Sequence, residues 1–552
     1  MSRESVVEKL GERHEGVDYF YTTCHNNGCW DATCLIKCSV KDDKIVAIEP
    51  DDSVNPGVAR EDDDENAVQT GMLQARACPM GHAWRQELYS ENRLLYPMKR
   101  VGGKGSGKGR FERISWDEAL DTIAGKMKQM AEENPDHPWL YYCYYVAFES
   151  SDFPFASYLP GTITGWGDHS TSGSAAAEDF HLGVRLTDCL IKGTSDAFPG
   201  FEAPRPAELQ ARGAVGASIL SVSWFGHVPY YMKLAQERGC KFILIDPVYN
   251  VSAEALGAQW IPIRPGTDTA FGLAVAYVLY TEDLYDHDFV DKWCYGFDQL
   301  AERVQDMPVE KAAGICGIDA DLIREAARVY ATSKPAQIAW GLAIDQKSNG
   351  VQAGHCVLAL EAITGNIDVP GGQLIGDVND GLELGFGWNN LGPELQGKIM
   401  GIKEYPAYVG LVLNAQCDMV LDALETGEPY AFKMGGFEDT NFLAGTCAAQ
   451  PKRWHDAMRK NLEWCFGIDV WMTPTIQACC ELFLPLSTTV EHDTVVYTHY
   501  GASPIMAGAV NKSITVGEGK GDCEIMYEIG KRCMPENYER FEDYYDFLEY
   551  YR

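Results

Sequence analysis

Two stretches, Leu35-Ile36-Lys37-Cys38-Ser39-Val40 and Lys44-Ile45-Val46-Ala47-Ile48, alternate apolar residues around Asp42-Asp43. A period of two broken by a two-residue polar turn predicts a β-hairpin. Cys38 keeps the alternation, so it reads as a strand residue. Further on, Ser115 and Glu118 form a Ser-x-x-Glu capping box that starts a helix at Trp116. Ala119, Leu120, Ile123, Met127 and Met130 recur at helical spacing and predict its buried face. The run from Pro138 to Tyr145 reads as a strand.

The middle of the chain reads strand, loop, helix, strand, loop. Ser218 to Ser223 is a short buried strand, broken by Trp224-Phe225-Gly226. Tyr230 to Arg238 is helical and stops at Gly239. Lys241 to Ile245 is a second strand, ended by Asp246-Pro247. Such a βαβ unit binds ligands beyond the carboxyl ends of its strands, where Asp246 can accept from a ribose or a guanine edge. With no Gly-x-Gly-x-x-Gly, ordinary NAD binding is not supported. Next, Pro265-Gly266-Thr267-Asp268 precedes an apolar helix that Thr267 or Asp268 would cap, aiming amides at a ligand. A helix from Val351 to Ile363 then ends in Thr364-Gly365-Asn366, followed by Pro370-Gly371-Gly372. These glycines allow close backbone approach to a phosphate, and equally suit ordinary turns.

Composition narrows the function classes. The 552 residues are 46% hydrophobic and carry a formal charge of −34, so the basic face that nucleic acid requires is not expected. Eighteen cysteines are too dilute for a disulfide scaffold and suit a reducing, anaerobic setting. The N-terminal residues show no signal core or twin arginine, and no apolar run reaches a bilayer span, so a cytoplasmic location is expected.

Four of those cysteines carry the chemistry. Cys24, Cys29 and Cys34 lie close together and Cys78 stands apart. Three thiolates in one loop and a fourth from a returning segment are the usual way to hold one [4Fe-4S] cube. Zinc, which favours paired knuckles, and buried thiols without a metal are the competing readings. A cube would make the protein a carrier of single electrons.

Three segments now follow in order: Ala77-Cys78-Pro79-Met80-Gly81-His82, then Asn92-Arg93-Leu94-Leu95-Tyr96-Pro97-Met98-Lys99-Arg100-Val101-Gly102, then Gly109 to Ala119. Together they resemble the molybdopterin oxidoreductases of the dimethyl sulfoxide reductase family, closest to anaerobic sulfoxide reductase catalytic subunits. The resemblance implies an α/β fold: an N-terminal β-rich [4Fe-4S] domain over 15–105, then two doubly wound α/β domains. One would be discontinuous around the metal, 106–205 with 373–552, and the other an inserted dinucleotide-binding domain, 206–372.

It further implies a Mo or W bis(molybdopterin guanine dinucleotide). The cluster ligands would be Cys24, Cys29, Cys34 and Cys78. Ser170, in Gly167-Asp168-His169-Ser170, would ligate the metal, a hard alkoxide suited to oxygen-atom chemistry. Tyr144 and His169 would face substrate. Trp224, Gly226, Asp246, Pro247, Gly266, Thr267, Asp268, Gly365, Asn366, Gly371 and Gly372 would hold the cofactor. The family often has Lys or Arg two residues after the fourth cysteine, where this chain has Met80. No counterpart of its C-terminal pterin-binding barrel is seen. The implied activity is reduction of a small oxo- or hydroxyl-bearing substrate, fed by a ferredoxin-like iron–sulfur subunit that could join a membrane anchor. The alternatives are a non-redox hydratase or transhydroxylase, and a truncated iron–sulfur remnant.

Overall fold

The computed structural model describes residues 16–24, 34–50, 79–103, 109–133, 139–143, 163–164, 186–188, 236, 239–338, 349–369, 372–375, 401, 403–406, 417–429, 431–446, 450–497 and 507–550. Its first unit is an antiparallel sheet of β1 (Asp18–Cys24), β2 (Cys34–Lys41) and β3 (Lys44–Pro50). The expected hairpin is β2–β3. Asp42 and Asp43 both take positive φ, 50° and 56°, as a two-residue type I′ turn requires. The pairing of β1 was not anticipated, although its Tyr-Phe-Tyr-Thr-Thr run has the aromatic and β-branched content of a strand. The helix Pro79–Leu88 covers this sheet: His82 Nδ1 bonds the Ile48 carbonyl at 2.9 Å, and Ile45 N donates to the hydroxyl of Tyr89 at 2.8 Å.

The largest sheet draws on distant parts of the chain. β4 (Met98–Val101) and β5 (Arg110–Arg113) form its antiparallel edge, and β6 (Trp139–Cys143) and β7 (Ile163–Thr164) lie at the opposite side. β8 (Leu186–Asp188) pairs elsewhere, with β11 (Gln373–Ile375). Between these, β9 (Ile243–Ile245) and β10 (Gln259–Ile261) make a parallel pair. β12 (Met434–Glu438), β13 (Trp464–Asp469) and β14 (Leu482–Pro485) complete the large sheet, whose order is β5-β4-β14-β13-β12-β6-β7. From β14 to β7 all its pairings are parallel, so β6, β7, β12, β13 and β14 end on one edge. β15 (Thr494–Tyr497) and β16 (Ala507–Val510) form a separate antiparallel pair.

The helix Trp116–Glu133 starts as its box predicts, with Glu118 N donating to Ser115 Oγ at 3.1 Å. Only half the box closes, because the Glu118 carboxylate pairs with Lys99. Ala119, Leu120, Ile123, Met127 and Met130 are all buried against the helix Asp522–Cys533 and the sheet. Behind the sheet's other face, Cys479 and Cys480 are fully buried among Phe437, Phe483 and Trp454, as small apolar residues.

In the middle of the chain the helix Asp268–Thr281 is apolar on nearly every side. It is surrounded by Val309–Cys316, Ala320–Thr332 and Gly350–Ile363. A buried ion pair, Arg93–Glu491, ties residues 79–93 to the segment that follows β14. Arg93 also donates to the carbonyls of Leu88 and Leu486. Glu491 accepts from Thr488 N, Thr488 Oγ1 and Val516 N, so the carboxylate's lone pairs are well used. No helix among the described residues is long and apolar enough to cross a membrane.

Candidate functional site

The register of β1 and β2 sets Cys24 directly opposite Cys34. The segment between these strands carries Cys29, so two of the four candidate cysteines are cross-strand partners at its two ends. The fourth, Cys78, immediately precedes the helix Pro79–Leu88. From this helix the indole Nε1 of Trp84 donates to Cys24 Sγ at 3.3 Å. Trp84 is five residues from Pro79, roughly 7.5 Å along the helix axis. The start of this helix therefore lies near the Cys24 end of the strands. Cys29 and Cys78 lie outside the described residues, and among those described no group of three or more His, Cys, Asp or Glu could hold a metal.

Cys38 behaves differently. It is fully buried on β2, and burial pushes its thiol up to about 11, against a smaller opposing effect of a hydrogen bond with Ser513. A thiol so reluctant to ionise is packing, as the alternation predicts. His82 is committed to the Ile48 carbonyl, so it pins the helix to β3.

The carboxyl edge of the large sheet is the second feature. Glu438 ends β12 and Asp469 ends β13, and both are buried. Burial pushes Glu438 well above the usual carboxylate range, and facing Asp522 raises it further. Asp469 is raised to about 7, first by burial and then by nearby Glu87 and Asp522, against the opposing bonds from the amides of Trp471 and Val470. A carboxyl that keeps its proton can donate as well as accept. Tyr144 directly follows β6, and His169 and Ser170 follow β7 by five and six residues. All three lie outside the described residues, but the strands leading to them end on this same edge. Sequence reasoning gave Glu438 and Asp469 no role. The available signal was an acid closing each of two apolar runs, Met-Gly-Gly-Phe-Glu and Trp-Cys-Phe-Gly-Ile-Asp.

Around β9 the expected cofactor residues are largely occupied by their own turns. Asp246 is buried, and its Oδ1 accepts from Val248 N at 2.7 Å while Oδ2 takes a longer bond from Asn250. Pro247 is exposed. Gly266 has φ +82° and turns the chain into the helix Asp268–Thr281. Thr267 occupies the cap position but makes no capping bond: its hydroxyl donates back to the Arg264 carbonyl at 2.6 Å. Asp268 is the first helical residue. Asn349, before the helix Gly350–Ile363, also makes no capping bond and instead donates to Thr269 Oγ1 at 3.2 Å. Two helix N-termini without side-chain caps thus adjoin, an arrangement that favours an anion.

Asn366 is buried, donates to Thr364 Oγ1 at 2.7 Å and accepts from Ala336 N at 3.0 Å. A Cβ at Gly372 would lie 2.4 Å from the Asn366 carbonyl oxygen, and one at Gly365, whose φ is +66°, would meet Asp286 at 2.7 Å. Gly372 is thus packed against Asn366 and Gly365 against the distant Asp286. Trp224, Gly226 and Gly371 lie outside the described residues.

Comparison with known proteins adds the family. The model of the family described as "Molybdopterin oxidoreductase" matches residues 93–152 and 226–532. The chain is 28% identical to the probable dimethyl sulfoxide reductase chain YnfF of Escherichia coli (strain K12), over 92% of this chain and 63% of that protein. It is 29% identical to acetylene hydratase of Syntrophotalea acetylenica, over 83% of this chain and 64% of that one. With the dimethyl sulfoxide reductase DmsA of Haemophilus influenzae it shares 31% identity over 62% of this chain and 43% of the other. The chain therefore spans less than two thirds of these relatives. The solved acetylene hydratase from Pelobacter acetylenicus superposes with a TM-score of 0.76 over 96% of this chain and 71% of that one, at 24% identity, a likeness of fold. With the family model matched over more than half of its length, this chain belongs to the molybdopterin oxidoreductase family.

Proposed function

We propose that the chain is the electron-accepting and cofactor-binding part of a molybdopterin-dependent oxidoreductase that reduces a small oxo- or hydroxyl-bearing substrate. Family membership implies a molybdenum or tungsten pterin cofactor. In this reading Cys24, Cys29, Cys34 and Cys78 hold a [4Fe-4S] cluster in an N-terminal domain, and Ser170 ligates the metal. The observation that carries it is the register that sets Cys24 against Cys34 beside the helix that follows Cys78. Two cysteines paired across β1 and β2 suit a cube, and the half-buried indole of Trp84 gives Cys24 a donor that a thiolate accepts.

The chemistry of the two remaining features suits a pterin nucleotide. The adjoining helix starts at Asp268 and Gly350 would receive its phosphates. The protonated Glu438 and Asp469 would meet the donor–acceptor edges of pterin or guanine, with Asp246, Thr267 and Asp268 nearer the nucleotide. When bound, the cofactor supplies two-electron chemistry at the metal and the cluster supplies electrons singly. The protein's own part is to bind, to orient and to keep protons on buried carboxyls. A ferredoxin-like iron–sulfur subunit is the proposed electron donor.

Anaerobic purification with iron, molybdenum, tungsten and guanine-nucleotide counts tests this reading. It expects about four iron per chain, together with Mo or W. Replacing Cys24 or Cys34 by Ala abolishes the iron, whereas Cys38→Ala retains it and costs about 1–3 kcal/mol as a lost buried group. Iron without Mo or W would overturn the oxidoreductase reading. The similarity to acetylene hydratase supports a second reading, non-redox use of the same cofactor. Substrate turnover with no electron donor present would favour it.

A further inference from the structure

We propose that Trp84 is a positioning residue that sets the reduction potential of the cluster, through the hydrogen bond from its indole N–H to the sulfur of Cys24. The inference rests on the cluster reading above and goes beyond it, because it assigns a role to a residue outside the four cysteines.

The geometry is specific. Nε1 of Trp84 lies 3.3 Å from Cys24 Sγ, and Cys24 itself is buried. The indole N–H can only donate, so a half-buried Trp needs an acceptor. The ring is held by an apolar cluster that includes Leu88, Ile36, Val490 and Ile514, which leaves it little freedom to swing away. Its helix is pinned to the sheet on both sides of the contact, by His82 within the helix and by Tyr89 just after its end. The donor is therefore preorganised by packing that involves no metal. A neutral thiol is a weak acceptor and would reward such an arrangement poorly, whereas a cluster-bound thiolate carries the negative charge that an N–H dipole stabilises.

The effect on potential follows from charge. Reduction adds one electron to the cluster and spreads it over its sulfurs. An N–H aimed at one of those sulfurs stabilises the reduced state more than the oxidised one, so it raises the potential. Hydrogen bonds to sulfur are among the factors that spread cluster potentials, as partners of ligands do at other metal sites. Removing the N–H while keeping an aromatic ring in the apolar seat should lower the potential and leave the fold in place.

The test uses the full chain prepared anaerobically. Iron and sulfide are counted first in the native protein and in Trp84→Phe, and both are then titrated by EPR-monitored potentiometry. The expected result is a cluster present in both, with the oxidised-to-reduced ratio at fixed potential shifted roughly threefold to tenfold toward oxidised in the variant; tenfold is about 59 mV for one electron. A cluster present in both with an unchanged potential overturns the proposal, since a residue that only packs would leave the potential where it was. If Trp84→Phe holds no iron, pulsed EPR on reduced protein carrying ¹⁵N-indole tryptophan decides. That protein carries Trp30→Phe, which removes the indole next to Cys29. A ¹⁵N coupling to the cluster spin supports the bond, and its absence overturns it. A native chain without iron refutes the cluster reading itself, a result the iron count separates from a failure at Trp84.

Discussion

Asp246 and Asp469 occupy the same local position in two different sheets. Each closes a parallel strand and accepts from the amide two residues on, Val248 N at 2.7 Å and Trp471 N at 2.8 Å. Their surroundings differ. Asp246 ends the two-stranded pair and has Asn250 at its second oxygen, with Pro247, Val248 and Tyr249 exposed beside it. Asp469 ends a strand inside a seven-stranded sheet, where Glu87 and Asp522 add negative charge and burial removes water, raising it to about 7. One motif thus gives a satisfied turn in one region and a proton-holding acid in the other. Strand-end geometry is local, whereas the cost of ionising is set by what the rest of the chain packs around it.

The sharpest way to disturb this contrast is at a third buried acid, in the segment that follows β14. Glu491 is buried but paired with Arg93, so Glu491→Ala leaves a buried guanidinium uncompensated. A loss of about 3–5 kcal/mol is expected from anaerobic chemical denaturation. A loss under about 1 kcal/mol, the range of exposed pairs, would mean that this segment is wet and that burial does not govern its acid.

Asp469→Asn acts in the opposite direction and depends on pH. The folded Asp469 holds its proton up to about 7, whereas an ordinary aspartate loses it near 3.8. Between those values the folded state binds more protons than the unfolded one, so rising pH costs stability, and the cost is constant above the window. The gap sets an upper bound of about 4 kcal/mol. Asn keeps the acceptor and removes the charge, so the variant's advantage in thermal unfolding should grow from pH 4 to pH 7 and then level. An advantage that does not change with pH would erase the distinction between the two strand ends.

Asp246→Ala should have the smallest effect, about 1 kcal/mol from the lost turn bonds. Guanine nucleotide counted in the same preparations sharpens its meaning. Retained nucleotide makes Asp246 a turn residue only, and lost nucleotide with near-native stability makes it a ligand contact.

Much of the local structure was legible beforehand because short-range rules govern it. The β2–β3 hairpin follows from alternation around Asp42-Asp43, residues that tolerate the positive φ its turn demands. The helix from Trp116 follows from Ser115, and its buried face from spacing alone. The site was legible only in part. The cysteine spacing pointed to Cys24 and Cys34, but nothing in it pointed to Trp84, which reaches Cys24 across sixty positions of sequence. Asn366 and Gly372 read as ligand contacts, and what the sequence did not show is that Asn366 also accepts from the distant Ala336 N and packs tightly against Gly372.

By itself the sequence determined the β2–β3 hairpin, the helix from Trp116 and the family, since periodicity, capping and motif spacing are properties of neighbouring residues. Only the tertiary structure decided that β4 joins a strand more than 300 positions away, that Cys24 accepts from an indole, and that Asp469 is pushed up to about 7 by burial and by Glu87 and Asp522. Burial and the nearness of charges depend on what distant segments bring together, and these set the energy of a polar group.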